Sequence, residues 1–419
     1  MRKLFSKTEW SWIFYDWANS GYGIIVITAV LPIWLTSVAA NNGISATHAT
    51  AYWGYANSIA TLAGAVLAPI LGALADFQGM KGRLFYFFTA LGVLGTFALT
   101  AVPSDNLFLL LAVFVVSFIG YSSANVFYDS YITDVTTDKR MDMVSSAGYG
   151  FGYLGGLVPF IIFMFGRSFF SSYGSVEFAF VLSAIWWAVF TIPFMKNVRQ
   201  TYALPRVEHQ VKASLKRIWH TLRVLPKYPA LAGFLIAYFF YIDGVNTIFT
   251  MASSFALAIG IPSGQLIVVL LVVQLIAFPF SIVYGWLANR FGNRNVLIMG
   301  MLIYIGITLF AIFINHPNQF WLLAFGVGSS QGGMQALSRS YLGQLVPKER
   351  SSEFFGFFNI FGKFSAIIGP AIFGIVSQTT GRVQYAAGSL SILFLIGLVI
   401  FLRLPKKTTD KTQLRGLLR

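Results

Sequence analysis

Five ionisable side chains interrupt runs of otherwise apolar sequence: Asp16, Asp129, Asp243, Arg339 and Lys363. Inside a bilayer each costs at least about 2.5 to 3.5 kcal/mol, so each needs a partner or a water-filled cavity. A carboxyl group placed there can pair with a cation or carry a proton, and a lysine or arginine can hold a carboxylate. Polar neighbours recur around them at three- and four-residue spacing, which puts them on shared helix faces. Asp16, Asn19, Ser20 and Gly23 form one stripe, and Asp243, Asn246, Thr247 and Thr250 a second. Ser122, Asn125 and Asp129 form a third, and Gln331, Gln335, Ser338 and Arg339 a fourth. Two readings compete for the Asp-Asn stripes: a substrate or proton pathway, joined by Gln335 and Lys363, or braces between neighbouring helices. Lys363 falls near the middle of its run and reads as a ligand or counter-ion, or as one member of a buried structural pair. Asp129 and Arg339 fall towards the ends of theirs and fit a cytoplasmic gate or, equally, charges that reach the interface. Three acids and two bases suit a zwitterion, a cation or a proton better than a dianion.

Other chemistries find little support. His48, His209, His220 and His316 lie in loops without metal-ligand spacing, so neither a metal site nor a histidine-activated nucleophile is indicated. The chain has no cysteine, which excludes disulfides and thiol chemistry. Gly356 to Phe364 has the glycines and lysine of a phosphate loop, but the spacing is wrong and Phe364 stands where Ser or Thr should bind magnesium. No catalytic residue, metal or cofactor is assigned, and neither an enzyme nor an ATP-driven pump is expected. The expected partners are a small-molecule substrate, protons and the lipid bilayer.

The elements that must position these residues follow from composition. Of 419 residues 57% are hydrophobic and 10% charged, against roughly a quarter charged in a soluble domain. Solid apolar runs of about 20 residues match the length of a membrane-crossing helix and lack the alternation of a barrel strand. Twelve transmembrane helices are therefore expected in an all-α membrane protein, near 10–38, 51–75, 83–102, 107–131, 144–166 and 177–195, then 230–258, 264–288, 295–314, 319–343, 353–378 and 384–403. The domains expected are a six-helix bundle over 1–195, a basic linker over 196–229, a second bundle over 230–403 and a basic tail over 404–419. Net charge of +15 could suggest nucleic acid, but 25 of the 29 Lys and Arg residues fall in the termini and alternate loops on one side. By the positive-inside rule both termini and the linker are cytoplasmic, nucleic acid is not a partner, and the basic balance reports topology. Met1 to Trp12 has no short apolar core before a cleavage site, so helix 1 is expected to remain as an anchor. Within the linker, 211–225 reads as an amphipathic helix lying on the inner leaflet, with Leu215, Ile218, Trp219 and Leu222 on one side.

The two groups of six helices repeat. Asp16, Asn19 and Ser20 in helix 1 match Asp243, Asn246 and Thr247 in helix 7. Gly72, Leu74, Ala75, Asp76, Gly79, Lys81 and Arg83 after helix 2 resemble Gly285, Leu287, Ala288, Asn289, Arg290, Gly292 and Arg294 after helix 8. Asp129-Ser130-Tyr131 ends helix 4, and Arg339-Ser340-Tyr341 stands in helix 10. In the loop after helix 2, Gly72 would admit close backbone packing and Asp76 could satisfy free amides at a neighbouring helix N-terminus. Asn289 could cap in the second copy without the charge.

The loop after helix 2 resembles the G-x-L-A-D-x-x-G-[KR]-[KR] signature of the major facilitator superfamily. Tyr15 to Ser20, Tyr241 to Thr247, Gln331 to Ser340 and Phe354 to Phe358 together look like its vacuole-effluxer branch. The resemblance implies two six-helix bundles around a central cavity lined by helices 1, 4, 7 and 10, and the loop motif Gly72, Asp76, Gly79, Arg83, Gly285, Asn289 and Arg290 as a conformational element. Eukaryotic members of that branch are associated with moving amino acids out of the vacuole. The function so implied is proton-coupled secondary transport of an amino acid or similar zwitterion by alternating access, across the cell membrane. The alternatives are a non-transporting nutrient sensor of the same fold, or a transporter of sugars or amphipathic compounds.

Overall fold

The protein is described from a computed structural model, over residues 4–405. Among these residues the regular structure is helical, apart from one isolated bridge between Phe77 and Leu204. Eleven stretches among the described residues are long and apolar enough to cross a membrane. The twelfth expected span is also a helix, Phe320–Leu345 of 26 residues, but Gln331, Gln335, Ser338, Arg339 and Ser340 make it too polar for that criterion.

In chain order the twelve are α1 (Lys7–Asn41), α2 (Ala46–Ala75), α3 (Met80–Ala98), α4 (Leu107–Ser130), α5 (Met141–Gly166) and α6 (Ser172–Asn197). After the linker come α7 (Pro229–Ala258), α8 (Ser263–Phe291), α9 (Asn293–Ala311), α10 (Phe320–Leu345), α11 (Lys348–Thr380) and α12 (Val383–Leu402). The linker holds the expected helix, at Gln210–Val224. Residues 406–419, most of the expected basic tail, lie outside the described residues.

Two of these helices are not regular. α1 widens to π geometry over Tyr22–Val30, just ahead of Pro32, whose ring clashes with the carbonyl four residues earlier. α11 is interrupted: Ser351–Phe364 gives way to a 3₁₀ turn at Ser365–Ile367, and Ile368–Thr380 follows. Pro370 explains the position of this break, because the residue four before it is Ala366.

By internal contact the described chain divides into two compact units. One comprises 4–135, 151–214 and 349–356, and the other 136–150, 215–348 and 357–405. In the first, α3 packs on α4, α1 on α6, α2 on α4 and α3 on α6; in the second, α9 packs on α10, α7 on α12, α8 on α10 and α9 on α12. The repeat visible in sequence is thus also a repeat of pairing. Each unit turns large apolar side chains outward, such as Phe87, Leu94 and Phe108 in the first and Leu275, Ile375 and Leu395 in the second. Hydroxyls such as Thr96 and Ser117 are buried and bonded to each other. That inversion suits a lipid surround, where outward apolar surface carries no penalty.

Candidate functional site

The break in α11 leaves two sets of backbone groups unsatisfied: amides at the start of Ile368–Thr380 and carbonyls at the end of Ser351–Phe364. α7 supplies partners for both. The fully buried carboxylate of Asp243 accepts from the Gly369 amide at 3.0 and 2.9 Å, one bond to each oxygen, and from Thr247 Oγ1 at 3.3 Å. One turn on, Asn246 Nδ2 donates to the Gly362 carbonyl at 3.4 Å, which also accepts from Ser365 Oγ at 2.8 Å. A carboxylate against half-helix amides and a carboxamide against half-helix carbonyls is the order that the helix dipole favours. A side chain at Gly369 would collide with Thr247 Oγ1 and the Asp243 carboxylate, so the approach is as close as a backbone allows. The D-x-x-N-T spacing therefore braces an interrupted helix. Half-buried Lys363 directly follows Gly362 and so stands at this break.

The matching stripe on α1 meets α4. Asp16 Oδ2 accepts from the Tyr128 hydroxyl at 2.7 Å, and Asn19 Nδ2 donates to Asn125 Oδ1 at 2.6 Å. Trp12 stacks on Tyr128 with centroids 4.6 Å apart and donates to its carbonyl at 2.9 Å, fixing the ring that reaches Asp16. Gly152 and Gly156 of α5 lie against Asp16, Ser20 and Ile24, and a Cβ at Gly155 would collide with the backbone of Trp17. Asp16 is only half-buried, whereas Asp243 is fully buried. α1 begins at Lys7, three residues earlier than expected, which draws Asp16 further from the helix end.

The loop after α2 is bonded to the start of α11 and to the linker. Asp76 accepts from the amides of Ser352 and Glu353 at 2.8 and 3.2 Å, at the start of α11. Gly72 is required there, since a Cβ would collide with the Ser352 carbonyl. Gly79 takes φ 75°, a left-handed conformation that glycine adopts freely, and its equivalent Gly292 takes φ 85°. Buried Lys81 pairs with Asp134 at 2.8 Å and donates to Ser351 Oγ at 3.0 Å. The other Asp134 oxygen accepts from the amides of Thr201 and Tyr202 at 2.7 and 2.9 Å. Gln200 caps the same loop, donating to the carbonyls of Ala75 and Phe77 and accepting from the Gly79 amide. The first residues of the linker are thereby strapped across the loop. Arg83 is exposed.

The second copy is built differently from expectation. Asn289 does not cap: it is exposed within α8, and its side chain makes no hydrogen bond among the described residues. The buried polar position belongs to Asn293, whose Nδ2 reaches Asp142 Oδ1 at 2.5 Å and Ser340 Oγ at 2.9 Å. Ser340 and Gln344 also donate to Asp142, at 2.6 and 2.9 Å. A Cβ at Gly285 would come 2.7 Å from Ser146 Cβ. Arg290 is exposed over Trp286, 5.6 Å from the ring centroid, while Arg294 donates to the carbonyls of Phe401 and Leu402 at the end of α12 and of Leu404 just beyond it.

Arg339 is fully enclosed rather than reaching an interface. Nε donates to Ser145 Oγ at 2.9 Å, a terminal nitrogen to the Ser145 carbonyl at 3.0 Å, and the guanidinium lies 4.4 Å from the Tyr149 centroid. Asp129 is half-buried on α4, beside Tyr128 in sequence. Gln335 is half-buried on α10. Sequence reasoning missed Asp134, Asp142 and the buried bidentate pair of Arg350 with Glu353, at 2.8 to 3.1 Å. All stand at helix ends, where charge reads as interfacial; the signal for Asp142 and Glu353 was an acid in the first turn of a helix. Among the described residues no cluster of metal-ligating side chains occurs.

A family model described as vacuole effluxer Atg22 like matches residues 6–413. An uncharacterized MFS-type transporter, YxiO, of Bacillus subtilis is 47% identical, over 99% of this chain and 98% of that one. Autophagy-related protein 22 of Saccharomyces cerevisiae is 25% identical, over 83% of this chain and 76% of that one. Among solved structures, the proton:xylose symporter XylE superposes with TM-score 0.76 at 13% identity, covering 99% of this chain and 98% of that one. FucP in the outward conformation gives 0.71 at 15% identity, covering 96% and 98%.

Proposed function

We propose, from the premise that this chain belongs to the vacuole effluxer Atg22-like family of multi-pass MFS-type transporters, that it is a secondary transporter of an amino acid or similar zwitterion, coupled to protons. The observation that carries this reading is the interrupted α11 with Asp243 on its amide end and Lys363 at the break. Interrupted helices expose groups that recognise both ends of a zwitterion: half-helix amides and a lysine for the carboxylate, a carboxylate for the ammonium. In the described arrangement Asp243 occupies the amide itself. Protonating it would remove the charge from that contact and loosen the half-helix, which links proton uptake to movement at Ser365–Ile367. Asp16, with Tyr128 as its donor, is the second carboxylate of the pathway, and Asn19, Asn246, Thr247 and Gln335 line it. Asp129 and Arg339 serve as a cytoplasmic gate, separating when that side opens. In this reading both termini are cytoplasmic, which the distribution of Lys and Arg supports, and the membrane is that of the cell.

The test is uptake of labelled amino acids into liposomes under an imposed pH gradient. Asp243→Asn should abolish accumulation while sparing exchange. Accumulation by Asp243→Asn equal to the parent at every pH would place the proton carrier elsewhere. Saturable binding without uptake would instead identify a sensor.

A further inference from the structure

The linker helix turns its apolar stripe outward. Val211, Leu215, Trp219 and Leu222 are 57, 49, 58 and 44% exposed, while small or polar Ser214 and Thr221, on the flank facing away from the basic residues, are 1 and 2% exposed. At about 100° per residue the four apolar positions span an arc of roughly 80°. Lys212, Lys216 and Arg223 fall on the adjoining arc, all exposed, with the Arg223 guanidinium 5.0 Å from the Trp219 ring. The helix does not float. The residues just before it are fixed by Asp134 and Gln200, by mutual backbone bonds of Leu204 with Asp76 and Gln78, and by Arg206 on the Gln78 carbonyl at 3.0 Å.

We infer that this helix is a docking face for anionic lipid headgroups of the leaflet on the linker's side. Its apolar stripe enters the acyl boundary, and Lys212, Lys216 and Arg223 hold headgroup phosphates. Charge complementarity supports that occupant: the linker carries eight basic residues and a single acid, Glu208, and bilayer surrounds the helices on either side of it. An exposed Trp beside an Arg is an arrangement suited to the membrane interface, where one end of the ring stays apolar and the other wet. The strap across the loop after α2 holds the helix start in place, so the face is presented without first having to be ordered.

The chain's lack of cysteine makes the test direct, and it needs no transport substrate. Single cysteines at 212, 215, 216, 219 and 222 carry spin labels in full-length protein, reconstituted into phosphatidylcholine vesicles with or without phosphatidylglycerol at roughly one lipid in three. With the anionic lipid, labels at 215, 219 and 222 should collide with oxygen and be shielded about tenfold from an aqueous nickel chelate, relative to 212 and 216. Without it, the shielding should fall. Equal aqueous access along the helix overturns the proposal, as does insertion that ignores phosphatidylglycerol. Shielding from both oxygen and the chelate would reveal a protein partner, such as a second copy, and overturn it too.

Discussion

Replacing Asp76 should release the start of α11 from the loop after α2. The carboxylate accepts from two amides in the first turn, Ser352 and Glu353, and is 1% exposed. Asp76→Asn keeps one good acceptor but loses the other, worth about 1 kcal/mol, and the charge at a helix N-terminus, worth about 0.3 to 1 kcal/mol. Together these favour separation by about 1.3 to 2 kcal/mol, or roughly nine- to thirtyfold. Asp76→Ala leaves both amides without a partner and should reach about 3 kcal/mol, more than a hundredfold. Gly72→Ala is an independent perturbation: it alters no charge but drives a methyl group into the Ser352 carbonyl. The readout is maleimide labelling of Ser352→Cys, a fully buried position in a chain without other cysteines. When separation is fast and reversible, the labelling rate follows the fraction separated. All three variants should label faster than the parent, in the order Asn, then Ala at position 76. Labelling of Asp76→Ala within twofold of the parent would mean that the contact does not hold α11, and the reasoning fails.

Lys81→Met should destabilise the protein by about 3 to 5 kcal/mol, because it strands buried Asp134, and adding Asp134→Leu should recover part of the loss. Melting temperatures in detergent decide this, and a parent-like Lys81→Met would show that the pair is not shielded. Gly369→Ala should cost about 1 to 3 kcal/mol and abolish uptake, since the methyl group has no room against Thr247 and Asp243. Uptake at the parent rate would remove the α11 break from the mechanism. Asp129→Asn and Arg339→Gln should each raise labelling of cysteines placed along the cytoplasmic pathway about tenfold, the effect of roughly 1.4 kcal/mol. Unchanged labelling in both would leave them as structural charges.

The helices and the D-x-x-N stripes were legible because hydrophobic length and three- to four-residue spacing are local properties. What Asp243 and Asn246 touch was not, since the break they brace lies more than a hundred residues away in α11. Pro370 was the available clue: its ring excludes regular helix at Ala366 whatever the surrounding hydropathy. The second loop motif misled for a related reason. Alignment to Asp76 pointed to Asn289, yet α8 continues past it to Phe291, so the residue never reaches a capping position. Asn293 does the polar work from the first position of α9, in company with Asp142, an acid in the first turn of α5 that sequence reasoning missed.

The composition of the first unit has a consequence for biosynthesis. It is complete only with residues 349–356, which leave the ribosome well over a hundred residues after the rest of the unit ends at Ser214. At about 5 to 20 residues per second that is an interval of roughly 7 to 27 s. During it the Asp76 carboxylate lacks the Ser352 and Glu353 amides, and Lys81 lacks Ser351. A nascent chain paused or severed in the linker therefore presents an unfinished polar surface, recognisable to quality control, rather than a finished half-transporter. For the same reason, two fragments divided at the linker would have to find each other before either became whole.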